Sequence, residues 1–196
     1  MAKKTLVLAV IAAALVAVGV QTASAEWFDE GKALKKEENP IFKLEGDLRL
    51  KGKTGTVECP KGVFAFLELT GGTTDGHLSG LNVNIPEECE VEGGLVLLTG
   101  GTTTLSSMQL TAGATAVNDE GIRIVVSGVS LHYKFKNGFA ATFTSIAGSP
   151  LVGVPDAAKK IGKVFVTGKL NSNIGEMSAS GVLTVLAGPN GTYGIA

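Results

Sequence analysis

From Val129 to Phe135 every second residue is large and apolar, with Ser130, His132 and Lys134 between them. A period of two belongs to a β-strand, whose successive side chains face opposite sides. Lys136-Asn137-Gly138 follows, and Phe139–Ile146 is then a second alternating segment. Asn-Gly between two such segments predicts a hairpin, because both central residues of a type I′ turn take positive φ. A chain patterned in this way buries one face of a sheet.

The pattern recurs along the chain. Leu44, Leu48 and Leu50 point one way while Asp47, Arg49 and Lys51 point the other. Thr56–Cys59 reads as a strand end and Val63–Leu69 as a dense strand. Leu78–Ile85 sets Leu81, Val83 and Ile85 against Asn82 and Asn84, and Leu95–Leu98 is continuously apolar. Met108–Val117, Ile122–Val126, Lys163–Leu170 and Val182–Leu186 complete the set, with a Pro189-Asn190-Gly191 turn near the end. The 27 glycines, with abundant Thr, Ser and Val, agree with short strands and tight turns. Only Pro155–Lys160 suits a helical turn. About ten short strands without a long helix predict an all-β fold. We expect a single antiparallel β-sandwich, immunoglobulin-like or jelly-roll-like, over residues 44–196.

The string LTGGTT occurs at Leu69–Thr74 and again at Leu98–Thr103, with a looser cousin at Leu110–Thr115. A solenoid needs three or more repeats of one length, and phosphate-cradling glycines need a helix behind them. Neither condition is met. The string reads as a strand–turn–strand connector whose glycines, Gly71 and Gly100 among them, supply positive φ.

The N-terminus differs in kind. Lys3-Lys4 precedes an uncharged apolar run from Leu6 to Val20, and Ala23-Ser24-Ala25 follows. This is the layout of a secretory signal peptide over residues 1–25, too short for a spanning helix, with cleavage after Ala25. The paired lysines and alanine-rich run have a bacterial character. Without the leader the chain carries 15 basic and 18 acidic side chains. That balance gives no basic footprint for nucleic acid or for an anionic membrane surface. Residues 26–43 are charged and lack alternation, so they read as a loosely ordered arm pinned by Trp27 and Phe28.

Few residues suggest chemistry. Cys59 and Cys89 are the only cysteines, and in an exported chain such a pair reads as a disulfide. Glu87, Glu88, Glu90 and Glu92 crowd around Cys89 but lack the offsets of a calcium loop, and read as a charged strand edge. His77 and His132 are the only histidines, a poor supply for a transition metal. Asp75, His77 and a serine allow a triad in principle, yet no nucleophile elbow is present. No catalytic, cofactor-binding or metal-binding residues are therefore assigned, and no cofactor is expected.

Trp27, Gly31 and Leu34, a first strand, and Cys59 followed by Cys89 resemble a loose group of uncharacterised secreted two-cysteine β-rich bacterial proteins. That resemblance implies secretion and a β fold without implying a site. Leu81–Cys89, an alternating strand ending in a second cysteine, also resembles chaperone–usher pilus subunits, which implies an incomplete immunoglobulin sandwich. The charged stretch after Ala25 departs from the donor strand of those subunits. The chain is expected to be a secreted, non-enzymatic structural or surface-interaction domain. Its partner would be a cell wall, a glycan or a protein surface met through a β edge. The alternatives are a small-molecule or lipid-binding module, or a pilus-subunit-like protein.

Overall fold

The computed structural model describes residues 25–80, 89–92, 103–118, 121–186 and 193–195. Outside these lie the leader to residue 24, the expected strands from Leu81 to Ile85 and from Leu95 to Leu98, Glu87, Glu88, the second LTGGTT as far as Thr102, and the Pro189-Asn190-Gly191 turn.

The described chain is all-β. A short first part holds β1 (Trp27–Asp29) and β2 (Lys32–Ala33). Long strands follow: β3 (Ile41–Gly52), β4 (Thr56–Leu69), then β5 (Asp75–Gly80), β6 (Glu90–Glu92) and β7 (Thr103–Val117). The second half holds β8 (Arg123–Phe135), β9 (Ala140–Ser145), β10 (Leu151–Pro155), β11 (Lys163–Ser172), β12 (Met177–Leu186) and β13 (Tyr193–Ile195).

The expected sandwich is not what forms. The antiparallel ladder runs β3-β4-β5-β7-β8-β9-β11-β12 and returns to β3, so the sheet closes as an eight-stranded β-barrel. Two features separate this from two packed sheets. First, β7 pairs with β8 from Leu105↔Phe135 to Val117↔Arg123, and β12 pairs with β3 from Met177↔Gly52 to Leu186↔Lys43, so no gap divides the ring. Second, the strands are long and bulged. The segments Ile122–Val126 and Val129–Phe135 join into one strand, β8, through Ser127 and Gly128, where the register with β7 shifts opposite Ala112. A second shift lies between Gly46 and Leu48 of β3, where β4 carries Pro60–Gly62 in excess. Bulges bend strands and raise their twist, which is how a sheet curls until its ends meet.

Two positions in the ring are each shared by two strands. β5 and β6 both lie between β4 and β7, while β9 and β10 both lie between β8 and β11. Cys59 and Cys89 are bonded and wholly buried, tying β4 to the residue just before β6.

Alternation now means inside and outside. Leu44 and Leu50 of β3 and Ile124, Val126, Leu131 and Phe135 of β8 are buried in the barrel, while Arg49, Lys51, His132 and Lys134 are exposed. Apolar within and charged without is the reverse of a barrel whose outer wall faces lipid. No described helix is long and apolar enough to cross a membrane.

Each end of the barrel is filled. At one end β1 pairs with β13 and β2 in a small second sheet. Trp27, only 1% exposed, donates its indole N–H to the Asp75 carbonyl at 3.0 Å. Residues 26–43, expected as a charged arm, thus contribute β1, β2 and the start of β3, with Trp27 and Leu34 buried. Pro155–Lys160 makes no helical turn; past the end of β10 it is a bent loop whose Ala158 carbonyl accepts from Ile195 N–H at 2.7 Å. The first LTGGTT is the turn from β4 to β5, as its glycines predict. Gly72 has φ +68°, but Gly71 does not take positive φ. Gly71 is required for another reason: a Cβ there would run into the carbonyls of Lys35 and Glu38.

At the other end the β8–β9 hairpin forms as predicted, with a different turn. Only Gly138 takes positive φ, at +87°. Gly138 N–H donates to Phe135 O and Phe135 N–H to Phe139 O, both at 2.9 Å, which makes a three-residue loop in place of type I′. Asn137 serves through its side chain, accepting from Phe139 N–H at 3.0 Å. Inside this end Tyr133 meets Phe143 edge-on at 5.4 Å and stacks with Phe135 at 6.1 Å.

Candidate functional site: the barrel interior

Eight strands enclose a space that side chains nearly fill or that holds one small ligand. Here most of it is filled. A cavity of about 70 Å³ remains in the middle, between the Trp27 end and the aromatic end. Inward side chains from right round the ring line it, including Leu50, Ala65, Leu78, Met108, Leu131 and Ala179. Each is an alternate residue on its strand, so the same period of two that buries the core also makes the lining apolar. Asp47, expected to point outward with Arg49 and Lys51, is instead the one polar residue on the lining, at the register shift between Gly46 and Leu48. Its carboxylate accepts from Val182 N–H at 3.1 Å, bridging β12 to the bulge in β3.

One buried side-chain hydroxyl on the inward face of β8 has no hydrogen-bond partner among the described residues. Tyr133 is 1% exposed, and its hydroxyl makes no hydrogen bond among the described residues. Burial pushes its phenol well above the usual tyrosine range. Tyr133 lies one inward step beyond Leu131 on β8 and pairs across the sheet with Met108; both of those residues line the cavity.

The residues singled out in the sequence lie elsewhere. Asp75 and His77 occupy alternate outward positions of β5, exposed to solvent. Asp75 accepts from the Thr115 hydroxyl at 3.0 Å, and His77 stands opposite Glu68 in the ladder. His132 is also outside, between the Ser130 hydroxyl at 2.9 Å and the Thr142 hydroxyl at 3.0 Å. A serine–histidine contact resembles half a triad, but here a hydroxyl occupies the position where a carboxylate would steady the imidazolium. Glu90 and Glu92 are exposed on β6, with Glu90 opposite Glu58, which pairs with Arg49 at 3.4 Å. Among the described residues no group of three His, Cys, Asp or Glu side chains is placed to hold a metal.

At the Trp27 end, Asp29 sits across from Tyr193. Desolvation first, and then Glu30 and Glu38, raise the pKa of the Asp29 carboxyl above its ordinary value. On the loop after β10, backbone N–H groups, that of Lys163 foremost, lower the pKa of Asp156.

The alternation over Val129–Phe135 marked Tyr133 as an inward residue. The want of a partner for its hydroxyl could not be read there, because it depends on which strands close the space around it. No protein-family model, curated protein or solved structure matches the chain.

Proposed function

We propose that this protein is a non-catalytic, extracytoplasmic binding barrel that takes a small apolar molecule in its interior. The observation that supports this most is the central cavity of about 70 Å³, lined almost wholly by apolar side chains. Ligand sites are concave and mostly apolar, and dry apolar cavities of about 150 Å³ take up benzene or xenon. A space of this size suits a molecule of a few heavy atoms or the tip of a longer chain. The leader pattern over residues 1–25 and the Cys59–Cys89 disulfide support a bacterial secreted location, since such bonds persist in oxidising compartments. The test is methyl NMR under xenon pressure. Shifts should concentrate at Leu50, Met108 and Leu131, and Ala179→Val, which adds two methyl groups to the lining, should abolish them. Shifts spread over the outer surface, or undiminished in Ala179→Val, would refute the reading.

A second reading rests on the outer wall. Phe165 of β11 is 44% exposed and lies opposite Val154 of β10, 46% exposed, and Val182 of β12. Such a row favours contact with a wall polymer or protein surface through a sheet face. Every strand of the ring has neighbours on both sides, so the face, not an edge, is what the barrel presents. Co-sedimentation with insoluble cell-wall polymer should fall when Phe165 and Val154 are changed to Ser; unchanged co-sedimentation would count against it.

A further inference from the structure

Resting on the reading that the cavity holds a ligand, we infer that Tyr133 is its polar anchor, and that the ligand is an apolar body bearing a single carbonyl or ether acceptor at one end. Buried hydroxyls nearly always have partners, and one without a partner in a native interior calls for an explanation. Tyr133 is wholly buried, its hydroxyl is unmatched among the described residues, and the interior around it is hydrocarbon and aromatic. Asp29 Oδ1, also buried without a hydrogen bond among the described residues, belongs to β1 at the Trp27 end. Tyr133 alone belongs to the inward row that contains cavity-lining Leu131 and faces cavity-lining Met108. A ligand end that reaches one inward step past the cavity would meet the phenol O–H as donor. A pure hydrocarbon would leave it unpaired.

The recognition expected is therefore chemical as well as steric. A pocket that hydrogen-bonds its ligand rejects an analogue lacking that group, because a buried polar atom is left unsatisfied.

Acetone and isobutene, each of four heavy atoms, have nearly the same shape and differ by one carbonyl acceptor. Both are titrated into the full-length mature protein and followed at the Met108 and Leu131 methyl groups. Tyr133→Phe should weaken acetone about tenfold and leave isobutene within about twofold. Ala179→Val should remove both, which locates the binding in the cavity. Tyr133→Phe should also fold with an unchanged or raised melting temperature, because it deletes an unmatched hydroxyl. Equal weakening of both probes, no weakening of either, or a lowered melting temperature would overturn the anchor while leaving the cavity reading intact. Failure of both probes to bind the wild-type protein would overturn the two together.

Discussion

Single residues carry more of this architecture than their chemistry suggests. Gly71 was expected to matter through positive φ, and it matters through proximity, since the turn from β4 to β5 presses against the carbonyls of Lys35 and Glu38. Gly71→Val is therefore expected to push residues 35–38 off the barrel and to destabilise by about 2 kcal/mol or more, as overpacking does. Trp27, the only tryptophan, hydrogen-bonds to Asp75 at the far side of that turn, so its fluorescence reports the displacement. An unshifted emission maximum and unchanged melting would show the contact to be dispensable. Two aspartates should respond to pH in opposite senses. Asp156 has a lowered folded pKa, so its contribution is present above the unfolded value and disappears as pH falls through the folded one. Asp29 has a raised folded pKa, so ionising it opposes folding near neutrality, and that cost vanishes in acid. Near neutral pH, Asp156→Asn should lower the melting temperature and Asp29→Asn should raise it. Both differences should shrink by about pH 3, where free aspartate is largely protonated.

At the scale of elements, the interrupted strands are the informative feature. β5 and β6 share one place in the ring, and the Cys59–Cys89 bond holds the chain where the second of them begins. The described residues of β6, Glu90–Glu92, lie between Thr56–Glu58 of β4 and Thr103–Thr104 of β7. The disulfide anchors the chain immediately before this ladder. Closing a loop of 30 residues stabilises by roughly 3–4 kcal/mol in the chain-entropy description. Cys59→Ser with Cys89→Ser should lose about that much by urea unfolding, with amide-exchange protection falling most in β6. Protection lost evenly over the barrel would mean that the bond acts on the unfolded chain alone. The hairpin from β8 to β9 makes a related point. Asn137-Gly138 identified the turn, yet the loop takes three residues and uses the asparagine as a side-chain acceptor.

For the whole molecule the consequential event is closure. A closed sheet has no bare edge in its ring and encloses an interior instead, which is why function is sought inside. Filling the cavity with Ala179→Val should raise stability by on the order of 1 kcal/mol, given about 24 cal/mol per Å³ of cavity. A destabilised variant would mean that the space is already closed by motion of its lining. The alternation of Leu44, Leu48 and Leu50 and of Val129 to Phe135, the glycine turn after Leu69 and the cysteine pair were all legible in the residues, because each is a local rule of side-chain period, backbone freedom or thiol chemistry. Closure, the end filled by Trp27, the cavity and the unmatched Tyr133 hydroxyl were not. A period of two states only that a strand has two faces. Whether the covered face looks onto a second sheet or back across its own depends on bulges, on registers such as Met177↔Gly52, and on pairing between residues far apart in the chain.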